Sequence, residues 1–398
     1  MRKLFLVATA IGLSLTAGCT AAPPPTPPSG GGLATTGSPT AASRPVPLTT
    51  ATSGNSLTTP DANATLPSTA PAMPAPTVEA AQEWRRGRMQ YGVQVYWHTD
   101  STDLSQDHSD AILDYVVGLG ANSVGITFPI YTDGSQPSRV YAGPDTPTDA
   151  QISRIVRQAR SRNLHVMVRP IIDETNIMTT QGEWRGSMRP RDLDTWFDSY
   201  QALLMPYAAS AQASGADEFV LGTELFSLEP QTARWQKLLA AAQSAYHGVI
   251  SYGVNWTSIN RRVSPFAAQG VDLYPALNLG DGASVAQLSG ALEAFLMQAP
   301  ANLRAVMTIQ EVGIPAISGM YAHPWLWGNT HQPLNLDIQA NWFRAACDAA
   351  KRAKLQGIYY WMIDSNWVPG QTDPASLPPF SFIGRPAEAH IRQCFIVP

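Results

Sequence analysis

From Tyr91 to its end the chain alternates between two kinds of segment, and this alternation constrains the fold more than any other feature. Strand-like runs occur at 92–97 (GVQVYW), 123–131 (SVGITFPIY), 165–173 (HVMVRPIID) and 218–225 (EFVLGTEL). Four more follow at 249–256 (VISYGVNW), 271–277 (VDLYPAL), 304–312 (RAVMTIQEV) and 358–364 (IYYWMID). Most are continuous apolar runs, as expected of parallel strands covered on their outer face by helices. Helical stripes lie between them. Leu193, Trp196, Tyr200, Leu203, Leu204 and Tyr207 share one helix face, as do Ile112, Leu113, Val116 and Leu119 before Gly120. Pro147, Thr148 and Asp149 open a third helix. Eight βα units in succession predict an α/β fold, a single-domain (β/α)8 barrel. A doubly wound open sheet would carry a Gly-rich phosphate loop after its first strand, and GVQVYWHTD has none.

Two of the strand-like runs close on a glutamate, Glu224 and Glu311. A carboxylate at the carboxyl end of a barrel strand has no packing role, and that end is where barrel active sites are built. Counting along the chain, Glu224 ends strand four and Glu311 ends strand seven, across the barrel mouth from one another. Two carboxyl groups about 5 Å apart can cleave a glycosidic bond, one attacking the anomeric carbon while the other protonates the leaving oxygen. Either glutamate alone reads more readily as an ordinary salt-bridged or solvated residue; the matched pair reverses that reading.

A sugar site needs flat apolar platforms and polar groups for hydroxyls. The chain has 11 tryptophans, and Trp97, Trp184 and Trp256 fall at strand ends or in the loops that follow. Trp196 and Trp342 sit within helical stripes and read as packing. Asp173, Arg185, Asn255 and Asp364 are polar groups placed to grip hydroxyls, although Asp173 and Arg185 can instead pair with each other. The loop 315–333 carries His323, Trp325 and Trp327 directly after Glu311, and either extends the cleft or covers the rim. His98 and His323 read as ordinary loop histidines.

The first residues have another purpose. Arg2 and Lys3 precede an apolar stretch, LFLVATAIGLSL, too short for a stable span, and LTAGC follows. This resembles the lipobox of bacterial lipoproteins, which implies a signal peptide at 1–18 and a lipid anchor on Cys19 holding the protein to the cell envelope. Residues 19–78 are rich in Pro, Thr, Ser, Ala and Gly and cannot bury enough apolar surface to order themselves. They read as a disordered tether, leaving 79–398 as the barrel domain.

With 44% hydrophobic residues the remainder has ample material for a core. A net charge of −4 and no basic cluster give no footprint for nucleic acid. No Cys/His spacing suggests a metal, the expected chemistry needs no cofactor, and monomer is the default state. Cys347 and Cys394 either pair, tying the last helix to its neighbour, or remain as two buried thiols.

The segments WRG (184–186), WFDSYQALLMPYA (196–208), GTEL (222–225), YGVNW (252–256), LYPAL (273–277) and QEVG (310–313) resemble glycoside hydrolase family 113, among the clan A retaining enzymes that include β-mannanases. The resemblance spans roughly residues 88–395. It implies that Glu224 is the acid/base and Glu311 the nucleophile, that Tyr274 hydrogen-bonds the nucleophile, and that Trp361 stacks under the reacting sugar. Many clan A members carry Asn before the acid/base to bind the sugar 2-hydroxyl; Thr223 stands there in this chain.

The leading expectation is a surface-tethered retaining glycoside hydrolase acting on β-linked hexose polysaccharide or oligosaccharide, mannan first. The alternatives are a non-catalytic carbohydrate-binding lipoprotein and a transglycosylase using the same glutamate pair.

Overall fold

Eight parallel strands close into a barrel in the computed structural model, which describes residues 88–97, 105–178, 182–326, 333–371, 373 and 376–396. The strands are β1 (Gln90–Tyr96), β2 (Ser123–Thr132), β4 (His165–Ile172), β5 (Glu218–Thr223), β6 (Val249–Asn255), β7 (Ala268–Asp272), β8 (Met307–Val312) and β9 (Gly357–Asp364). Each pairs in parallel with its neighbours, and β1 pairs with both β2 and β9, which closes the ring. The two-residue β3 (Val140–Tyr141) is an antiparallel excursion hydrogen-bonded to the end of β2. The signal, Cys19, the tether and His98 lie outside the described residues.

The helices are α1 (Gln106–Gly118), α2 (Asp149–Ser161), α3 (Leu193–Ser214), α4 (Thr232–Ala245), α5 (Val285–Leu296), the short α6 (Ala301–Arg304), α7 (Leu336–Arg352) and α8 (Pro386–Ile396). Their starts follow from local chemistry. Thr148 and Gln151 make a reciprocal capping box on α2, and Ser284 and Gln287 repeat it on α5. Asp192 caps α3, and Gly215, at φ 84°, ends it in the left-handed conformation that glycine adopts without strain.

The regular eightfold alternation breaks once. Between β6 and β7 there is no α-helix, only a 3-10 turn at Trp256–Ser258. Trp256, Ile259, Val263 and Phe266 fall at helical spacing in segment 256–267, but Pro265 cannot donate within a helix, and only the 3-10 turn forms. Strand seven of the barrel is also shorter than its apolar run suggests, because residues 304–306 belong to a helix end and turn. Similarly, LYPAL lies beyond the paired part of β7.

The barrel interior is polar. The Thr127 hydroxyl donates to Gln94 Oε1 at 2.7 Å, and Gln94 Nε2 donates to the Gln310 carbonyl at 2.6 Å. Gln310 Nε2 in turn reaches Glu218 and Ser251 at 3.2 and 3.1 Å. Two strand glycines make room for these amides: a Cβ on Gly125 would lie 1.7 Å from Gln94 Oε1, and one on Gly270 would lie 2.2 Å from Gln310 Cδ. The apolar core lies mainly outside the strands, where the helical stripes pack. Trp196 and Trp342 are fully buried there, as their stripes predict. Cys347 and Cys394 form a disulfide with Cα atoms 6.0 Å apart, so the pairing of α7 with α8 is covalent.

Candidate active site

Glu224 is the first residue beyond β5, and its backbone is unusual for a glutamate. Its φ of 55° lies in the left-handed region, which costs an ordinary L-residue energy and is found where surrounding contacts enforce it. Those contacts are present. The Glu224 N–H donates to the Gly253 carbonyl at 2.8 Å, and the next N–H, of Leu225, donates to the Tyr252 hydroxyl at 3.0 Å. The side chain is held as firmly. Arg185 Nη1 donates to Oε2 at 2.8 Å and Asn255 Nδ2 donates to Oε1 at 2.7 Å. The Asn255 amide orientation is fixed in turn, because its Oδ1 accepts from the Thr257 N–H and hydroxyl at 3.0 and 2.7 Å.

Glu311 is reached through the strand register. Asn255, which holds Glu224, pairs with Asp272, and Asp272 pairs with Glu311, so the partner of one glutamate stands in register with the other across β6 to β8. Arg169 on β4 crosses the interior to Glu311, Nη1 to Oε1 at 2.8 Å, while its Nη2 donates to Asp272 Oδ2 at 2.6 Å. The Tyr274 hydroxyl donates to the other oxygen of Glu311 at 3.0 Å. Each glutamate therefore shares an arginine with a second carboxylate: Glu311 shares Arg169 with Asp272, and Glu224 shares Arg185 with Glu174.

Burial sets the electrostatics. It pushes the Glu224 carboxyl above its ordinary value; Arg185 pulls it down, and the charges of Glu311 and Glu174 push it up again. Asp272 is driven well above the usual range by burial, with Arg169 opposing. Tyr274 is also raised well above its ordinary value, first by burial and then by the Glu311 charge, and so stays a donor.

Aromatic residues line one side of the site. Trp361, inside β9 and joined to Met362 by a cis peptide bond, packs with Tyr274, Met362 and Phe380. Tyr96 meets its ring edge-on at 5.8 Å. Trp256 stands edge-on to Tyr274 at 5.9 Å and stacks on Trp325 at 5.4 Å. Trp325 therefore brings the loop after Glu311 onto the same wall. Trp327 lies outside the described residues, and His323 meets Trp325 edge-on at 5.7 Å.

Other expected contacts are distributed differently. Trp97 is fully buried in the main apolar core and offers no face to a sugar. Arg185 does not pair with Asp173. Asp173 is half-buried and accepts instead from Tyr96 at 3.3 Å and the Thr175 N–H at 2.8 Å. Trp184 is half-buried beside Arg185, its ring over Gly186, where a Cβ would lie 2.2 Å away. Asp364 caps the turn after β9 by accepting from the Asn366 N–H at 2.8 Å. Thr223 is buried, and its hydroxyl has no hydrogen-bond partner among the described residues. A Cβ on Gly253 would lie 3.8 Å from this hydroxyl and 3.9 Å from Arg169 Nη2. Among the described residues no group of three or more His, Cys, Asp or Glu side chains converges to hold a metal ion.

The sequence profile of Glycoside Hydrolase Family 113 matches residues 93–375, well over half of the chain. The chain belongs to this family. Solved family 113 structures share its fold. The family 113 β-mannanase AaManA from Alicyclobacillus acidocaldarius, in complex with ManMIm, superposes with a TM-score of 0.67 at 20% identity, over 78% of this chain and 98% of that one. A family 113 β-1,4-mannanase gives a TM-score of 0.65 at 20% identity, over 77% and 99% of the two chains. No curated protein matches in sequence.

Within the family 113 barrel, several site residues escape a reading by strand ends alone. Arg169 and Asp272 are each a charged residue inside an apolar strand run, a pattern tolerated only when the charge is paired inside. That was the available signal. Glu174 and Tyr96 carried none, since a loop glutamate and a strand tyrosine are ordinary.

Proposed function

We propose that this family 113 glycoside hydrolase cleaves β-1,4-linked mannan or manno-oligosaccharides with retention of anomeric configuration. The supporting observation is a pair of carboxylates at the ends of β5 and β8, each fixed by its own arginine, beside a wall of Trp361, Tyr274, Trp256 and Trp325. The mannan assignment rests on the β-mannanases that share the fold. In the first step Glu311, held as an acceptor by Arg169 and Tyr274, attacks the anomeric carbon while Glu224 gives its proton to the leaving oxygen. In the second, Glu224 takes a proton from water, which displaces Glu311 from the sugar. The upward push of burial on Glu224 suits the acid role, which requires a protonated carboxyl near neutrality. Asn255 positions Glu224, and Trp361 and Trp256 supply apolar platforms for the sugar faces. Trp184, Asp173 and Asp364 border the same mouth.

The test is reducing-sugar release by residues 79–398 on β-mannan, glucomannan, β-glucan, xylan and chitosan, with Glu224→Gln as control. Turnover on mannan that the substitution abolishes supports the reading. Turnover on mannan that survives Glu224→Gln, or none on any polymer from the unaltered protein, contradicts it.

We also propose that a lipid on Cys19 holds the enzyme at the cell envelope, on the strength of LTAGC after an apolar stretch. Cys19→Ser would then move the protein from the membrane to the soluble fraction; unchanged fractionation would refute the anchor.

A further inference from the structure

The two carboxylate–arginine–carboxylate triads differ in a way that bears on the acid step. Around Glu311 the arginine and its second carboxylate, Asp272, are both fully buried. Around Glu224 the arginine is 15% and Glu174 23% exposed. Glu174 Oε1 accepts from the Arg185 backbone N–H at 3.0 Å and lies 3.4 Å from its Nε. The Arg185 Nε also donates to the Ile172 carbonyl at 2.9 Å. The guanidinium is thus anchored on one edge by Glu174 and Ile172, and presents Nη1 to Glu224.

This arrangement poses a problem for a proton donor. Asn255 can only donate to Oε1, because its own oxygen is taken up by Thr257. Arg185 can only donate to Oε2. An undivided guanidinium on Oε2 would favour the ionised carboxylate, the wrong form for the first step. On the proposed reaction, the geometry points to Glu174 as a positioning residue that divides the charge of Arg185, so that Arg185 orients Glu224 without holding it ionised.

The other charged and titratable groups around Glu224 are accounted for. Glu311 near the end of β8 adds negative charge, and Arg169 on β4, which pairs with both Glu311 and Asp272, offsets it. Glu229, Tyr252 and Tyr274 also feel the Glu224 charge, but Glu229 is ion-paired to Arg261 and the two tyrosines are neutral donors. Glu174 stands apart from these because it touches the arginine that itself touches Glu224.

The experiment compares pH profiles of kcat/KM for the unaltered enzyme, Glu174→Gln and Arg185→Gln on two substrates. One is mannotetraose, whose sugar leaving group needs a proton; the other is dinitrophenyl β-mannobioside, whose leaving group does not. Glu174→Gln is expected to shift the alkaline limb on mannotetraose to lower pH, with a loss of about tenfold on that limb, within the range that general-acid catalysis supplies. On the aryl glycoside it should change little. Arg185→Gln should shift the same limb to higher pH, whatever its effect on the maximum. Opposite displacements are not what simple loss of structure produces. An active enzyme whose alkaline limb stays in place in Glu174→Gln, or moves the same way in both variants, overturns the role of Glu174 alone. An unaltered enzyme inert on both substrates overturns the mannanase reading, and the role of Glu174 with it.

Discussion

Arg169 and Asp272 form an ion pair of 2.6 Å in which neither side chain has any exposure to solvent. Such a pair contributes less to stability than its Coulomb attraction suggests, because both charges have left water. Its consequence here is positional: Asp272 anchors one nitrogen of the guanidinium, which leaves Nη1 aimed at Glu311.

Removing the arginine strands Asp272 and Glu311 as buried carboxylates. Arg169→Met is therefore expected to destabilise the fold by about 3–5 kcal/mol, the cost of breaking a buried pair from one side. Adding Asp272→Leu should recover a large part of that loss without restoring turnover. Denaturant unfolding of the single and double variants measures both; a double variant no more stable than the single one would contradict this account.

Cys347 and Cys394 close a span of 47 residues between α7 and α8. Replacing both with alanine should lower stability by about 2–4 kcal/mol, the usual effect of losing a cross-link of this kind. The site lies at the other elements' strand ends, so kcat/KM at moderate temperature should hold. Thermal unfolding with and without reductant checks the first expectation and a rate assay the second.

Glu229 gives a pH prediction independent of catalysis. One of its oxygens pairs with Arg261 at 2.7 Å, and the Tyr252 hydroxyl also favours its charged form. Burial raises its pKa to about 7, Arg261 opposing. A carboxyl raised on folding favours the protonated native state. Its contribution is thus fully present below the unfolded value and is lost as pH rises through about 7. Thermal stability should fall across that interval, and Glu229→Gln should flatten the fall. A variant with the same slope as the unaltered protein would count against the assignment.

Much of the barrel was legible because its signals are local. The apolar runs at 123–131, 165–173 and 358–364 match β2, β4 and β9 within a residue or so at each end, and the Thr148 signal places α2 correctly. The missing helix between β6 and β7 was not legible. The eightfold pattern and the spacing of Trp256, Ile259, Val263 and Phe266 invite a helix there, whereas Pro265 lacks the N–H that a helix needs and only a 3-10 turn forms. In the site, Glu224, Glu311, Tyr274 and Asn255 meet near the strand ends, and Arg185 joins them from the 3-10 turn Arg185–Ser187. What sequence position could not reveal was partnership. Asp173 and Arg185 are near in sequence, yet Arg185 turns to Glu174 and Glu224, because the turn after Trp184 aims its fork across the mouth. Trp97 misleads for a related reason: a strand-end tryptophan can face the mouth or the core, and period alone does not choose.

The stereochemistry of cleavage tests the central claim most directly. Proton NMR of the first product released from a β-manno-oligosaccharide, recorded before mutarotation, reads the anomeric configuration. Double displacement through Glu311 with Glu224 as acid/base predicts a β-configured product. A first product of α configuration would mean a single displacement by water, and would contradict the nucleophilic role assigned to Glu311.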